Sequence, residues 1–314
     1  MVVAVVVAYN RRDLLTRALD GLAEQARPCD AVVVVDNGST DGSGERAAAH
    51  RLRPDVLTLE RNTGGAGGFA AGLAHAVLAR GADLVWLMDD DTVPTPTALS
   101  ALLDARARYA GRPAVLASRA VWHDGRDHPM NTPRPRFGLT AGLRARAAAV
   151  GAVPVRSASF VSVLLDATAV RTEGLPEADY FLWNDDFEYT ARLLRRRTGL
   201  WVADSVVEHL TATFGDSDAD PGGRFFFEVR NKLWLLRASS ALGPLETLLY
   251  GAATLRRWAR TLRRASDRAT VLAAGRRGLA EGLRGQPQPT SAVLAGLGTV
   301  SDEVRAIEKG AGRD

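Results

Sequence analysis

Val2-Val3-Ala4-Val5-Val6-Val7-Ala8 is an unbroken apolar run, rich in β-branched residues, that stops at the polar Tyr9-Asn10-Arg11. A run this short falls well below the ~18–20 apolar residues of a membrane span, and no basic leader precedes it, so it reads as a buried strand. Both faces of such a strand must be covered, which is the mark of a parallel sheet between helices.

The sequence on either side of this strand supports that architecture. Residues 13–25 carry Leu14, Leu15, Ala18, Leu19 and Leu22 at helical spacing, and residues 31–35 form a second apolar strand that stops at Asp36-Asn37-Gly38-Ser39. A short helix over 42–51, a strand over 56–60, a helix over 68–80 and a strand over 84–88 continue the alternation. The fold class is therefore α/β, a mostly parallel sheet flanked by helices. Open parallel sheets bind ligands outside the carboxyl ends of their strands. Four polar loops begin at such ends, at Tyr9-Asn10, Asp36-Asn37, Arg61-Asn62 and Asp89-Asp90.

A Pro- and Arg-rich stretch over 112–136 interrupts the pattern and reads as the passage to a second region. There a strand over 157–166, a turn at Gly174-Leu175-Pro176, a helix over 188–197, short strands at Trp201-Val202-Ala203 and Val206-Val207, and a helix over 225–238 are expected. Beyond Gly243 the chain is rich in Ala, Leu and Arg with helical periodicity. This divides the chain into a first α/β half (1–125), expected to be the nucleotide side if its strand-end loops bind ligand, a second half (126–240) expected on the acceptor side, and a basic helical extension (241–314).

With 46% hydrophobic and 24% charged residues, the 314-residue chain has ordinary globular usage and is not a disordered one. Its net charge of +4 is modest, but arginines cluster at Arg256-Arg257, Arg260, Arg263-Arg264 and Arg276-Arg277. These fit attraction to phosphates or anionic lipid, and equally a solvated helix face. Nucleic-acid binding is not expected, because no aromatic or recognition motif interleaves with them. Cys29 is the single cysteine, so no intramolecular disulfide is possible and a cytoplasmic setting is expected.

Asp89-Asp90-Asp91 follows Leu84-Val85-Trp86-Leu87-Met88 directly. Crowded carboxylates repel unless a hard cation relieves them, and in an extended chain Asp89 and Asp91 share one side while Asp90 points to the other. The competing reading is an acidic turn capping the next helix. Asn62-Thr63-Gly64-Gly65-Ala66-Gly67-Gly68-Phe69 offers backbone N–H groups at a helix entry, suited to phosphate or sugar. The Gly-rich turn of a dinucleotide-binding dehydrogenase would follow the first strand, where this chain has no glycine, and the Walker pattern is absent. Asp36 ends its strand either as a turn residue or as a carboxylate for ribose or base. Asp185 and Asp186 read as a helix N-terminus or, beside Trp183 as a sugar platform, as a base for an acceptor hydroxyl. A lone histidine such as His209 is more often structural than a ligand.

Taken together, Val7-Ala8-Tyr9-Asn10-Arg11, Asp36-Asn37-Gly38-Ser39-Thr40-Asp41, the Gly-Gly-Ala-Gly-Gly-Phe segment and Asp89-Asp90-Asp91 resemble the inverting family 2 glycosyltransferases of GT-A fold, over roughly residues 2–238. Trp183-Asn184-Asp185-Asp186 and Arg224-Phe225-Phe226-Phe227-Glu228-Val229-Arg230-Asn231 are similar to segments of actinobacterial galactofuranosyltransferases. The resemblance implies metal-dependent transfer of a sugar, galactofuranose from UDP-galactofuranose, to a lipid-linked or cell-envelope glycan. A rhamnosyl or other hexosyl transferase and a catalytically silent nucleotide-binding scaffold are the alternatives. It further implies that Asp89, Asp91 and His209 hold Mn2+ or Mg2+. Tyr9, Asn10, Arg11, Asp36, Asn62, Gly64, Gly65, Gly67 and Asp90 are expected on the donor, and Trp183, Arg230 and Asn231 on the acceptor. Asp186 or Asp185 is the implied base; in the family the acidic pair lies closer to the tryptophan, whereas here Asn184 intervenes. The basic C-terminal helices are expected to rest on the inner face of the plasma membrane.

Overall fold

The computed structural model describes residues 1–136, 138–211, 214 and 221–312. Its first half follows the alternation read above: β1 (Val2–Ala8), α1 (Arg12–Ala23), β2 (Ala31–Asp36), α2 (Ser43–Ala48), β3 (Asp55–Thr58), α3 (Gly64–Leu78) and β4 (Leu84–Asp89). Here β1 pairs parallel with β2 and β4, and β2 pairs parallel with β3. The period-2 alternation of β1 explains why it is apolar on every residue. Val3, Val5 and Val7 belong to the core under α3, whereas Val2, Ala4 and Val6 belong to the core under α1. A Cβ on Gly72 of α3 would lie 2.4 Å from Val5 Cγ1, so this glycine lets the helix settle directly on the sheet.

The second half is less regular than the sequence suggests. β5 (Thr92–Pro94) and α4 (Ala98–Arg108) follow the aspartates, and the Pro- and Arg-rich stretch contains a buried strand, β6 (Val115–Val121), and a short edge strand, β7 (Arg134–Pro135). After α5 (Ala141–Ala148), the single strand expected over 157–166 resolves into β8 (Ala152–Ser157) and β9 (Val163–Asp166). Next come α6 (Ala167–Glu173) and α7 (Asp185–Leu193). The two short strands expected near 201–207 are one long strand, β10 (Gly199–His209), with a register shift between Val202 and Val206. α8 (Phe225–Arg237), α9 (Pro244–Arg264), α10 (Arg268–Arg284), α11 (Thr290–Val293) and α12 (Thr299–Gly310) complete the described chain.

All strands join one sheet of order β3-β2-β1-β4-β9-β6-β10-β8-β7, with β5 paired to β10. It is parallel over β3-β2-β1-β4 and mixed beyond, because β9 runs antiparallel between β4 and β6. The C-terminal helices pack on the fold rather than trail from it. α12 lies on α3, where His75 Nδ1 is 3.1 Å from Glu303 Oε1, and α10 lies along α8.

Candidate active site

β4 ends at Asp89, the chain turns through Asp90 and Asp91, and β5 returns antiparallel to β10 with Thr92 opposite His209. Leu210 N donates to Asp91 O at 2.8 Å. This pairing carries His209 onto the aspartates. One ligand atom from each of Asp89, Asp91 and His209 lies within 4.8 Å of the others, and this is the one such three-residue group among the described residues. Two bonds to a hard cation span about 4–5 Å, so the three side chains match that demand.

Two further observations test the fit. Asn131 Oδ1 lies 2.7 Å from His209 Nδ1 and must accept its proton, which leaves the Nε2 lone pair 3.2 Å from Asp91 Oδ1. Asp91 Oδ1 is buried without a hydrogen bond, and Asp89 accepts none among the described residues. Unpartnered, inward-facing lone pairs of this kind suit a divalent cation. Burial foremost, and then the neighbouring Asp91 and Asp90, raise the Asp89 carboxyl well above the usual range. Burial acts the same way on Asp91, but His209 in its protonated form and the facing Arg11 outweigh it and hold the carboxyl low; with His209 neutral, Arg11 alone opposes burial there.

Asp90 turns away from this group. It accepts from Tyr9 N at 3.1 Å and from Arg11 Nη1 at 3.3 Å, so it ties the end of β4 to the loop after β1, and burial lifts its pKa to about 6. Arg11 also donates to Asp91 Oδ2 at 2.6 Å. The loops after β1 and β2 are joined in turn: Asn10 Oδ1 accepts from Thr40 N at 2.8 Å and Asn10 N donates to Ser39 Oγ at 3.1 Å, while Asp36 closes its own loop by accepting from Ser39 N at 3.0 Å. Tyr9 is 44% exposed at the rim, free to stack on a ring.

The glycine segment is the first turn of α3 rather than a loop ahead of it. Gly64 adopts φ +72°, and a Cβ there would lie 2.1 Å from Phe181 O. A Cβ on Gly67 would strike Thr63 Oγ1. These two glycines serve close packing, and Gly65 alone of the three has open space above it. Asn62 Oδ1 accepts from Gly64 N at 2.8 Å and fixes the helix entry.

Against this turn lies the segment before α7, where Phe181, Trp183 and Asn184 all have positive φ, between 61° and 67°. For residues with side chains this costs on the order of 1–3 kcal/mol each, and it persists only where the surroundings enforce it. α8 enforces it. Asn231 Nδ2 donates to Tyr180 O, Leu182 O and Trp183 O at 2.8–2.9 Å, Arg230 donates to Asp179 O at 2.6 Å, and Glu228 accepts from Asn184 at 2.9 Å. The expected acceptor contact of Arg230 and Asn231 therefore changes character. Arg230 is 6% exposed and Asn231 is fully buried, and they hold the loop that carries Trp183 and Asp185. Trp183 remains partly open, with the Arg224 guanidinium 5.3 Å from its ring centroid.

Asp185 and Asp186 open α7 close enough to the first acidic group for Asp185 to raise Asp89 electrostatically. Burial pushes the Asp185 carboxyl up to about 8, with Asp186 adding to the shift. Burial also raises Asp186, which accepts from Phe187 N at 2.6 Å, while Lys232 and Arg134 favour its ionised form. Sequence reasoning missed Asn37, Asn131, Asn184, Glu228 and Lys232. Asn37 accepts from Thr63 N at 2.9 Å and donates to Gly64 O at 2.8 Å, joining the β2 loop to α3. Its place directly after Asp36 is the one signal that could have marked it.

A mixed sheet flanked by helices that gathers polar loops at its strand ends, with an Asp-Asp-His group that could hold a cation beside them, is the architecture of the GT-A glycosyltransferases. Staphylococcus aureus TarS 1–349 in complex with UDP superposes with TM-score 0.63 at 16% identity, over 99% of this chain and 91% of that one. A mannosyltransferase, PcManGT from Pyrobaculum calidifontis in complex with GDP-Man and Mn2+, gives TM-score 0.53 at 18% identity, over 99% and 86%. These likenesses bear on the fold. Within the class, the chain belongs to glycosyl transferase family 2, whose family model matches residues 3–153. The galactofuranosyltransferase GlfT1 of Mycolicibacterium smegmatis is 33% identical over 296 residues, spanning 84% of this chain and 95% of that one. GlfT1 of Mycobacterium tuberculosis is 36% identical over 205 residues, 62% of this chain and 64% of that one. The protein is a glycosyltransferase.

Proposed function

We propose that this glycosyltransferase moves galactofuranose from UDP-galactofuranose, with inversion, to a hydroxyl of a lipid-linked or cell-envelope glycan. The observation that carries the reading is the Asp89–Asp91–His209 group at the strand ends, with the Asp185–Asp186 helix entry beside it. The choice of galactofuranose rests on the 33% identity to GlfT1. Asp89, Asp91 and His209 would hold Mn2+ or Mg2+, which when bound offsets the charge of the departing diphosphate. Tyr9, Asn10, Arg11, Asp36, Asn62 and the open backbone at Gly65 orient the nucleotide sugar, while Gly64, Gly67 and Asp90 keep those loops in place.

Asp186 takes the proton of the acceptor hydroxyl as that oxygen attacks the anomeric carbon in a single displacement. A raised carboxyl pKa makes it a stronger base, and Lys232 and Arg134 favour its anion; Asp185, lifted to about 8, holds its proton at neutral pH. Trp183 supplies the aromatic surface for the acceptor sugar. No helix among the described residues is long and apolar enough to cross a membrane, and the basic C-terminal helices suit peripheral contact at the inner face of the plasma membrane.

The test is turnover of a panel of nucleotide sugars with Mn2+ and a lipid-linked acceptor, with the anomeric configuration of the product read by NMR. UDP-galactofuranose should give the highest kcat/KM. A dTDP-rhamnose preference moves the assignment to a rhamnosyl transferase, and absence of hydrolysis or transfer with every donor moves it to a silent nucleotide-binding scaffold.

A further inference from the structure

α9 presents two different faces. On its inner side Tyr250 packs edge-on against Phe187 at 5.2 Å, Trp258 Nε1 donates to Glu228 at 3.2 Å, Arg257 pairs with the same carboxylate, and Glu246 holds Arg156 at 2.6 Å. Glu228 in turn accepts from Asn184, and Phe187 follows Asp186 in the chain. The helix is thus bolted to the segment that carries the candidate base.

On the outer side Leu245, Leu248, Leu249 and Leu255 are 69%, 69%, 54% and 65% exposed. With the exposed Ala252 they follow the i, i+3/i+4, i+7 spacing of a single stripe. Four large leucines on one helix that no described residue covers mark that face as a contact surface. Exposed Arg256, Arg263 and Arg264 border and extend the stripe. The only acidic residue of the helix, Glu246, is taken by Arg156.

We propose that α9 lies in the headgroup region of an anionic phospholipid bilayer. Its leucine stripe enters the acyl boundary, its arginines meet the lipid phosphates, and the Trp183–Asp186 segment is held at the membrane surface. A second copy of the chain suits this face poorly, because it would set arginines near arginines with no free carboxylate between them. The use of this docking rests on the lipid-linked acceptor proposed above; the docking itself stands on α9 alone.

The full chain is sedimented with phosphatidylglycerol/phosphatidylcholine vesicles and with phosphatidylcholine vesicles, at about 0.1 M salt, where exposed charges separated by more than ~10 Å are screened. Wild type should pellet with the anionic vesicles. Leu248→Glu/Leu249→Glu/Leu255→Glu should lower the partition coefficient at least ~10-fold, and Arg256→Gln/Arg263→Gln/Arg264→Gln should lower it about fivefold per arginine on anionic vesicles only. Mn2+-dependent UDP binding by the same samples should stay at the wild-type level, which shows that the variants are folded. The proposal is overturned if wild type fails to pellet, if the leucine variant pellets unchanged, or if the leucines instead mediate self-association without vesicle binding. Vesicle binding without any UDP binding would retain this proposal and sink the donor assignment.

Discussion

Asn131 Oδ1 stands 2.7 Å from Nδ1 of His209, and both side chains are buried. An amide oxygen there can only accept, so it holds the Nδ1 proton and turns the Nε2 lone pair toward Asp91. Asn131→Leu should leave the fold intact and weaken Mn2+ binding roughly 10–100-fold, the usual cost of losing such a supporting contact. Titration calorimetry with Mn2+ reads this directly; unchanged affinity would remove Asn131 from the site.

Metal should stabilise the folded chain by mass action. At a Mn2+ concentration 100 times Kd the gain is about 2.7 kcal/mol, visible as a rise in Tm. Asp91→Ala should abolish that rise. It also leaves Arg11 with one carboxylate partner, Asp90, instead of two. A variant that still responds fully to Mn2+ would place the ion elsewhere.

Asp186→Asn removes the proposed base while keeping the acceptor for Phe187 N. kcat should fall about 10²–10⁴-fold, with UDP binding unchanged. Equal losses in UDP affinity and kcat would instead assign Asp186 to the donor side.

Asp185 supplies a pH signature. Its carboxyl is raised from 3.8 to about 8 by burial and by Asp186, so the folded chain keeps a proton that the unfolded chain has lost. Its contribution is therefore greatest below 3.8 and is lost as pH rises toward about 8. Tm measured in EDTA from pH 5 to pH 8 should fall for wild type. The fall should be shallower for Asp185→Asn, with the remainder coming from the likewise raised Asp186, Asp89 and Asp90. An identical slope in both proteins would show that Asp185 is ionised.

Gly64→Ala tests the contact between the start of α3 and the segment before α7. Its Cβ would meet Phe181 O at 2.1 Å in a backbone conformation unfavourable for alanine. The variant should lose kcat and Tm together, whereas Gly65→Ala, with open space around it, should lose mainly donor affinity. Limited proteolysis of the 180–184 segment, faster in Gly64→Ala, provides the independent readout.

The sequence by itself determined the first sheet half, because β1, β2 and β4 are buried on both faces and their composition records it without reference to the rest of the chain. It likewise pointed to Asp89 and Asp91 as the pair on one side and Asp90 on the other, although the chain reaches that arrangement by turning through Asp90 and Asp91 rather than by continuing extended. Tertiary structure alone decided the rest. His209 reaches Asp91 because β5 pairs antiparallel with β10, and Asn131 reaches His209 across the fold. The glycines of α3 matter through Phe181, and the positive φ of residues 181, 183 and 184 is enforced by Asn231. β6 was hidden among prolines and arginines, and β10 was masked by its register shift. The physical reason is common to all of these. Register and burial between segments distant in sequence depend on which surfaces meet, and periodicity within a segment encodes only that it has a face to bury, not what will cover it.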